Sequence, residues 1–369
     1  GLKEKKINLD DDYIKFIRYG ERFIEKNQGG ILAYINNNSY IDGLTHRQMR
    51  YHLLNTFDDI YIINLHGSFK KKETCPDGSK DENVFGIQQG VCINIFVKNQ
   101  EENSSLAKVH YCDVYGSQEK KLDFLESHDV SNLQFEEVTP EPPYYFFVNK
   151  DLSGKDEYDK HMGLLDLFAY YFSGIQTKRD KLTVQFSTQE CKEAIDYVAN
   201  KENNEIMSHF KLQADGRDWR VSWAKDDAAQ NRPTIQPYMY RPFDIRYVPY
   251  TGKSKGIIGY PRKPMFDALS IENNISLITT RQLSTFDFQH VFASRHISDI
   301  NSVSSQTKEQ SYVFPLYVTK ENMGHMETLP NFKEETYRKV CDSLGFEPTP
   351  EQLFDYIYAV LHSPKYRMT

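Results

Sequence analysis

Two apolar stretches near the N-terminus decide the predicted fold: residues 29–35 are GGILAYI and residues 60–67 are IYIINLHG. Short, nearly continuous apolar runs of this kind are typical of strands that are buried on both faces of a sheet. Before them, Asp11–Glu25 places apolar side chains at helical spacing with charges between, and Thr45–Phe57 indicates a second helix. Helix, strand, helix, strand predicts an α/β domain whose neighbouring strands are parallel.

Composition sets the limits within which that domain must function. The 369 residues predict two domains, and 39% hydrophobic with 26% charged residues is enough for a packed core. The net charge of −7 excludes a strongly basic protein that binds nucleic acid over its whole surface. Nucleic-acid binding would therefore require a local patch of positive charge. The five cysteines contain no CxxC pair, which argues against a disulfide framework or a zinc site and indicates a reducing cytoplasm. No apolar run approaches the ~20 residues that span a bilayer, so no membrane-spanning segment is expected. No bound metal is expected either.

A proline-rich segment marks the predicted domain boundary. Further strands are expected at Gly90–Val97 and Lys108–Tyr115, and then Val138–Pro143 places three prolines within four residues, which favours extended backbone. The predicted domains are therefore residues 1–139 and residues 140–369. In the second domain the expected elements are helices near Met162–Phe172, Gln189–Asn200 and Pro350–Leu361, and strands near Ile275–Thr279 and Tyr312–Val318.

The segment Ala228–Phe266 carries the strongest chemical signal in the sequence. It contains seven Lys and Arg against one acid, with seven aromatic residues interleaved. Cations neutralise phosphate, and a guanidinium group can pair bidentately with guanine, so the segment predicts a DNA-binding face. Two alternatives stay open: a surface segment whose aromatic rings fill the core, and an ion pair between Arg241 and Asp244. The candidate DNA-binding residues of this segment are Arg232, Arg241, Arg246, Lys253, Lys255, Arg262 and Lys263.

Several long blocks of the sequence resemble one enzyme family. The blocks LDDDYIKFIRYGERFI (9–24), GGILAYINNNSYIDGLTHRQMR (29–50), IYIINLHG (60–67) and DGSKDENVFGIQQGVCINIFVK (77–98) resemble the part of a DNA adenine methyltransferase that follows its NPPY-type catalytic motif. The form is that of type ISP and related single-chain restriction-modification enzymes. The blocks GIQTKRD (174–180), YRPFDIRY (240–247), GKSKGIIGYPR (252–262), VFPLY (313–317) and FDYIYAVLHSPKYR (354–367) resemble the target-recognition region of the same family. The resemblance runs nearly from end to end.

The resemblance implies both a fold and a function. The implied fold is a partial Rossmann-like methyltransferase sheet in residues 1–139, followed by a mixed α+β target-recognition domain in residues 140–369. The implied function is that of a fragment of a site-specific DNA adenine-N6 methyltransferase, part of a restriction-modification system in phage defence. The fragment would contribute a target-base pocket and DNA sequence recognition. The alternative is a non-catalytic, sequence-specific DNA-binding module, while a small-molecule α/β enzyme would leave the basic aromatic segment unexplained.

Two motifs of the complete family enzymes are absent from the sequence. Neither the glycine-containing motif for S-adenosylmethionine nor an Asn/Asp-Pro-Pro-Tyr motif is present. The chain is therefore expected to be truncated at both ends, and the S-adenosylmethionine site is expected to lie mostly upstream. The fragment alone should not methylate. Its expected partners are double-stranded DNA and the upstream methyltransferase, helicase or nuclease segments of the same parent chain.

The methyltransferase resemblance also implies candidate residues for holding an extruded adenine. Adenine methylation requires a base flipped out of the duplex and an aromatic face on which it stacks, and the matching position is Phe85. The alternative for Phe85 is a plain core role. Asn37, Asn38 and Ser39 follow the first strand and are candidates for the target-base pocket, with a simple turn as the alternative. His66 ends another strand at the same edge, either in that pocket or as a satisfied structural histidine.

The block Gly174–Asp180 supplies two further candidates for DNA contact. Its glycine, hydroxyl, amide and cationic groups suit phosphate contact or the reading of base edges. Lys178 and Arg179 are the predicted contacts, and Asp180 could orient Arg179. The alternative is that the block is only a turn.

Overall fold

The computed structural model describes residues 7–69, 71–99, 105–281, 283, 287–304, 309–322 and 325–368. The chain divides into two compact units, Gly1–Ser153 and Gly154–Thr369. The domain boundary predicted after residue 139 stays a prediction about the family's organisation. The two units are described separately below.

The first unit is built around a five-stranded sheet. Its helices are α1 (Asp12–Asn27), α2 (Ser39–Asp42), α3 (Arg47–Thr56) and α4 (Gln118–Ser127), with 3-10 turns at Ile7–Asp10 and Leu44–His46. Its strands are β1 (Gly30–Asn37), β2 (Asp59–Asn64), β3 (Val91–Lys98), β4 (Lys108–Asp113) and β5 (Glu136–Val138). The long helices and the strands predicted for this half of the sequence are confirmed.

Helix α1 shows how the sequence positions an element against the sheet. Asp12 in its first turn complements the helix dipole, and Ile17 and Ile24 are buried on one face. Gly20 permits a close approach to β1, because a Cβ at this position would lie 2.7 Å from Leu32 Cδ1. Substitution of this glycine would therefore push the helix away from the strand or displace the leucine.

The strand order of the sheet is β1-β3-β2-β4-β5. Strand β3 is antiparallel to both β1 and β2, while β2 and β4 are parallel. The prediction that the first two strands are parallel neighbours is wrong, because β3 is inserted between them and apolar patterning does not reveal pairing. Since β1, β2 and β4 still run in one direction, their carboxyl ends meet at one edge of the sheet.

Strand β1 is an edge strand, not a strand buried on both faces as its apolar run predicts. Leu32 and Tyr34 face the interior, whereas Ile31 is 66% exposed and Ile35 is 51% exposed. A continuous apolar run is equally compatible with a central strand and with an edge strand whose outer face is apolar. The apolar run therefore predicts the position of the strand but not whether its outer face is buried.

A buried arginine secures the segment that follows the proline-rich stretch. Arg50 is fully buried, and its guanidinium group donates to the carbonyl oxygens of Tyr40 at 2.6 Å, Tyr144 at 2.6 Å and Tyr145 at 2.7 Å. Burial lowers the pKa of Arg50 to about 10. These bonds hold residues 144–145 on the first unit, beside the core ring of Phe147.

The second unit contains several small sheets surrounded by helices. Their strand orders are β10-β9-β12-β6, β11-β7-β8 and β13-β14. The strands are β6 (Phe172–Ser173), β7 (Thr234–Arg241), β8 (Asp244–Tyr250), β9 (Ser276–Thr280), β10 (Val291–Ser294), β11 (Ile297–Ser298), β12 (Ser311–Pro315), β13 (Tyr317–Asn322) and β14 (His325–Pro330). The helices are α5 (Lys155–Tyr158), α6 (Leu164–Leu167), α7 (Asp180–Thr183), α8 (Thr188–Asn200), α9 (Asn203–His209), α10 (Val221–Gln230), α11 (Lys263–Leu269), α12 (Glu334–Leu344), α13 (Pro350–His362) and α14 (Pro364–Met368).

Two of the predicted elements in this unit differ from the structure. The helix expected near Met162–Phe172 is reduced to the single turn α6, and the strand expected at Tyr312–Val318 is divided at Leu316 into β12 and β13. Helices α8 and α13 and strand β9 are confirmed.

Among the residues that the structure describes, the second unit has two apolar cores. One is centred on Trp219, Tyr238 and Val248, and the other contains Phe168 and Phe314. This mixture of helices and small sheets agrees with the mixed architecture expected for the second domain. No helix in the described ranges has both the length and the apolar character that crossing a membrane requires.

Candidate functional site

A polar pocket of about 230 Å³ opens where strands β1, β2 and β4 end. In open α/β sheets the carboxyl ends of parallel strands are where ligands bind. The lining side chains include residues at the ends of these strands, residues that follow them and residues of the loop after β2. The polar residues in its lining include Asn38, Asn64, His66, Glu73, Asp113 and Tyr115.

His66 occupies the centre of the charged part of this pocket. Its Nε2 lies 2.5 Å from Asp113 Oδ1, its Nδ1 lies 3.7 Å from Glu73 Oε1, and its ring stacks on Tyr115 at 3.9 Å. Burial lowers the pKa of His66, but the hydrogen bonds to Asp113 and Glu73 outweigh burial and raise it overall. Burial raises the pKa of Glu73 in turn, and the interaction with His66 reverses this and lowers it. The raised pKa of His66 favours the protonated ring, for which the carboxylates of Asp113 and Glu73 are the partners.

A chain of hydrogen bonds crosses the pocket from β1 to β4. Asn38 Nδ2 donates to Asn64 Oδ1 at 2.9 Å, and Asn64 Nδ2 donates to the Tyr111 hydroxyl at 2.8 Å. The Tyr111 hydroxyl then donates to Asp113. Because each member is oriented by the next, the pocket presents fixed donors and acceptors, which suit a ligand that is recognised through amino, amide or hydroxyl groups.

The structure brings together two of the four predicted pocket residues of the sheet edge. Asn38 and His66 both line the pocket. Asn37 and Ser39 do not line it, because Asn37 Oδ1 accepts hydrogen bonds from the Ser39 backbone N–H at 2.9 Å and its hydroxyl at 2.7 Å. These two residues form the turn that begins α2.

Phe85 lies at an exposed turn between β2 and β3. It is 56% exposed, which excludes the alternative of a core role. Asn83 holds the turn: its Oδ1 accepts the backbone N–H of Phe85 at 2.9 Å and of Ile87 at 3.3 Å, and its Nδ2 donates to the carbonyls of Gly67 at 3.1 Å and Gln89 at 2.6 Å. The aromatic ring is therefore presented to solvent on a fixed backbone.

A buried ion pair fastens this turn to the strand ends. Lys121 and Asp81 have no exposed side-chain surface, and Lys121 Nζ lies 2.7 Å from Asp81 Oδ1. Asp81 also accepts the N–H groups of Gly67 at 2.7 Å and Gly116 at 2.9 Å, and Lys121 donates to the Leu65 carbonyl at 2.7 Å. The sequence analysis missed both residues, because a lysine in a charged helix and an aspartate in a polar loop are typical of solvent-exposed positions.

In the second unit, the basic loop 251–262 is anchored by one buried carboxylate. Asp227 is fully buried, and its Oδ2 accepts the N–H of Ile257 at 2.8 Å and the hydroxyl of Thr251 at 2.8 Å. Its Oδ1 accepts Asn231 Nδ2 at 2.8 Å. Gly256 is required at the contact, since a Cβ there would lie 2.1 Å from Asp227 Oδ2. The loop that carries Lys253, Lys255 and Arg262 is thus held in one conformation.

The ring of Trp223 is contacted by two cations, Arg220 from the same helix region and Lys255 from the basic loop. Arg220 Cζ lies 5.2 Å and Lys255 Nζ lies 5.3 Å from the ring centroid, within the range of cation–π attraction. Arg220 and Trp223 were missed from the sequence. A signal was present, since residues 217–223 read RDWRVSW and contain both tryptophans of the chain beside two arginines.

Tyr260 forms a second group of this kind. Lys178 Nζ lies 5.3 Å and Arg262 Cζ lies 5.7 Å from its ring centroid. Lys178 also lies 3.5 Å from Asp218, whose pKa is lowered to about 2, first by Arg217 and then by Tyr260. The group brings Lys178, from the block Gly174–Asp180, together with Arg262 from the basic loop.

Besides Lys178, three of the predicted DNA-binding cations are engaged by carboxylates of the chain itself. Arg241 lies 2.9 Å from Asp299, not in the predicted alternative pair with Asp244. Arg246 is the partner of Asp244 at 2.8 Å, and Lys263 pairs at 2.6 Å with an acid one helical turn later. A role of these three in DNA binding stays a prediction.

The other predicted cations differ in how freely they can reach a ligand. Arg179 lies 4.8 Å from the Trp219 ring centroid and donates to the Ala214 carbonyl at 2.8 Å. Asp180 does not orient it, because Asp180 accepts the Tyr240 hydroxyl at 2.9 Å and the Thr177 hydroxyl. Five of the predicted cations have no carboxylate at ion-pair distance within the described ranges: Arg179, Arg232, Lys253, Lys255 and Arg262.

One group of potential metal ligands lies on the first unit. Glu21, Glu25 and His52 place their ligand atoms within 4.8 Å of one another. Glu21 is already engaged at 2.6 Å by Arg18 and at 2.8 Å by the Thr56 hydroxyl. The arrangement is explained by these internal contacts, and we assign no ion to it.

Comparison with known families identifies the second half of the chain. Residues 166–369 match the family model of the Type ISP C-terminal specificity domain. The chain belongs to this family. The match covers more than half of the sequence and includes the loop 251–262, both cation–aromatic groups and the β7–β8 hairpin. No curated protein matches the chain.

Solved structures of Type ISP enzymes and of a DNA complex have the same fold. A chain of the "cryoEM structure DrdV-DNA complex" superposes with a TM-score of 0.71 at 22% identity, covering 99% of this chain and 37% of that one. The "ATP-dependent Type ISP restriction-modification enzyme LlaBIII bound to DNA" gives 0.72 at 23% identity, with 100% and 24% covered. A nuclease-deletion mutant of the Type ISP enzyme LlaGI with a DNA substrate mimic gives 0.66 at 22%, with 98% and 34% covered. The chain therefore spans well under half the length of these relatives.

Proposed function

We propose that this Type ISP specificity domain recognises a sequence in duplex DNA as part of a longer restriction-modification enzyme. The observation that carries the proposal is the family match over residues 166–369, which contains the unpaired cations of the basic loop. The relatives with the same fold are described as bound to DNA, which supports the same partner here. The chain's net charge of −7 does not oppose this, because the positive charge is concentrated locally.

The cations of this surface suit contact with the phosphate backbone. Lys253 and Lys255 are exposed on a loop that Asp227 fixes, so little backbone conformational entropy is lost when they meet phosphate. Arg262 adds a planar guanidinium group, which can contact phosphate or the edge of guanine. Phosphate contacts set the register of the protein on DNA, and base contacts add the sequence preference.

We further infer that residues 1–139 are the C-terminal part of an adenine-N6 methyltransferase domain. The exposed Phe85 is the candidate platform for an extruded adenine, and the pocket with Asn38 and His66 offers fixed hydrogen-bonding groups for it. Strand β1 is an edge strand whose outer face exposes Ile31 and Ile35, so it is suited to packing against further elements of the parent chain. A purely DNA-binding module would need neither feature.

S-adenosylmethionine is the methyl donor that this assignment requires. The residues present here do not fit a donor site, because the sequence contains no Gly-x-Gly turn that could admit the cofactor. We therefore assign the donor site to the parent enzyme, and to this chain only the handling of the target base and the recognition of DNA.

The DNA-binding proposal is tested by the salt dependence of binding. Duplexes are selected from a random-sequence pool with the 369-residue chain, and affinity is then measured over a range of salt concentrations. Replacing Lys253 and Lys255 by alanine should lower the slope of log K against log salt by about 2, because each lost phosphate contact contributes ~0.9. The matched control replaces Arg338 and Lys339, which are exposed but paired with Glu334 and Glu335 on α12, and should leave the slope unchanged. Binding that is absent, or insensitive to salt, contradicts the proposal.

The methyltransferase assignment is tested in the full-length parent enzyme. Phe85→Ala should reduce adenine methylation while duplex binding through the specificity domain is retained, and Phe85→Trp should restore most of the activity. Fluorescence of 2-aminopurine at the target position reports extrusion of the base independently of methyl transfer. Unchanged methylation in Phe85→Ala would remove the residue from the base site.

A further inference from the structure

The β7–β8 hairpin ends in an unusually exposed aromatic residue. Strands β7 and β8 are joined by the two residues Pro242 and Phe243, with Arg241 opposite Asp244 across the turn. Phe243 is 97% exposed, and its ring meets that of Phe292 only edge-on, with centroids 6.3 Å apart. Leaving a phenylalanine ring in water forgoes ~1.5–3 kcal/mol of burial. The folded chain therefore gains almost no burial from this side chain.

The backbone of the turn is also unfavourable for phenylalanine. Phe243 has φ of 63°, in the left-handed region that glycine and asparagine normally occupy. A proline followed by a residue with positive φ is the pattern of a type II turn, in which the second position favours glycine. Neither burial nor turn chemistry therefore explains why a phenylalanine stands here, and departures of this kind concentrate at functional positions.

The surroundings of the tip combine aromatic and cationic groups. Gln185 pairs with Tyr247 of β8, which brings Phe186 beside the hairpin. Phe186 is 71% exposed, and Arg246 Cζ lies 4.2 Å from its ring centroid. The hairpin tip thus presents exposed rings with guanidinium groups next to them.

We propose that Phe243 inserts into a groove of duplex DNA and contacts the bases directly, as an apolar probe. The inference rests on the proposed function and assigns to this residue a base contact that charge counting does not reveal. Base stacks are flat apolar surfaces bordered by phosphate, so they match a projecting ring that is flanked by Arg241 and Arg246. A protein partner would equally cover the ring, but the guanidinium groups of Arg241 and Arg246, although each is paired with an aspartate, favour a partner that carries phosphate.

The decisive variant is Phe243→Gly, because glycine is the residue that the turn itself favours. Its thermal stability should equal or exceed that of the wild type, so a loss of binding cannot be attributed to unfolding. Affinity for duplexes selected with the wild-type chain should fall by about tenfold or more, the usual effect of losing an aromatic contact with a base. Phe243→Trp should retain most of the affinity.

A spectroscopic readout locates the contact. In selected duplexes that carry 2-aminopurine at successive positions, the wild-type chain should change the fluorescence at one or two adjacent positions, and Phe243→Gly should abolish that change. Phe346→Ala is the matched control, since it removes another exposed ring from the connection between α12 and α13. It should leave both readouts unchanged.

The possible failures can be told apart. If the wild-type chain binds no duplex, the proposed function fails and this inference fails with it. If the wild type binds with the expected salt dependence but Phe243→Gly binds equally well, only the inference is overturned. Equal binding together with loss of a protein partner in Phe243→Gly would assign the tip to a protein interface instead.

Discussion

In each of the two units a buried aspartate holds a candidate functional loop, but the groups that surround the two carboxylates differ. In the first unit Asp81 fixes the connection that carries Phe85 and is neutralised by the ammonium group of Lys121 at 2.7 Å. In the second unit Asp227 fixes the basic loop 251–262 with neutral donors alone: a backbone N–H, a hydroxyl and a side-chain amide.

The difference teaches how each loop would fail. A buried carboxylate with a buried cation is stable as a pair, but loss of either partner leaves an uncompensated charge in a dry environment. A buried carboxylate surrounded by neutral dipoles loses its support one hydrogen bond at a time. The Phe85 loop should therefore respond to mutation abruptly, and the basic loop gradually.

The largest effect is expected for Lys121→Met. Methionine fills the space of the lysine stem but leaves Asp81 without its cation, which should cost about 3–5 kcal/mol in the free energy of unfolding. Urea unfolding of the 369-residue chain measures the change. The neighbouring Lys120 is exposed, so Lys120→Met should change stability by less than about 0.5 kcal/mol. Similar effects for both variants would show that the buried pair does not hold the first unit together.

A smaller effect is expected for Asp227→Asn. The asparagine is nearly isosteric, but its NH2 group faces a donor and loses at least one charge-assisted hydrogen bond, at a cost of about 2 kcal/mol. Because the loop also loosens, hydrogen exchange should accelerate at Ile257, whose N–H donates to Asp227. The adjacent Asp226 is exposed, and Asp226→Asn should change neither quantity. A loss as large as that of Lys121→Met would remove the distinction between the two anchors.

The smallest effect is a pH dependence at the pocket of the first unit. The raised pKa of His66 means that its contribution to stability is fully present below the ordinary histidine pKa of ~6.5 and is lost as pH rises through the raised value. The lowered pKa of Glu73 gives a contribution that is present above its ordinary range and is lost in acid. The stability difference between wild type and His66→Gln should therefore be larger near about pH 6 than near about pH 9.

Thermal unfolding at the two pH values measures this difference. His161 is exposed and does not line the pocket, so His161→Gln is the control for the loss of a histidine as such. A His66→Gln difference that grows toward alkaline pH would have the wrong sign and would exclude an imidazolium between Asp113 and Glu73.

The sequence predicted elements better than it predicted neighbours. The apolar periodicity of α1 and the runs of β2 and β3 located these elements closely, because burial on one or both faces leaves a local pattern. That β3 separates β1 from β2, and that Ile31 and Ile35 face outward, depends on pairing between distant segments. No local pattern encodes such pairing, so the expected parallel neighbours did not appear.

For the candidate sites, too, residues with a local sequence signal were predicted and residues defined by distant contacts were not. The basic loop was identified because charge and aromatic residues are visible in composition, and Asn38 and His66 were identified because they follow strands. Asp227, Asp81 and Lys121 were missed, since a charged residue that becomes buried through contacts with distant backbone groups looks like any surface residue in the sequence. Arg241 was assigned to DNA by charge, but its partner Asp299 lies 58 positions away in the sequence.

The turn at Phe243 has a practical consequence for directed evolution of this chain. A selection for heat resistance should enrich glycine or asparagine at position 243, since both relieve the left-handed backbone and remove an exposed ring. A selection that also demands discrimination between DNA sequences should keep phenylalanine. Position 243 would then show a trade-off between thermal stability and DNA sequence discrimination, because the two selections would enrich different residues from one library.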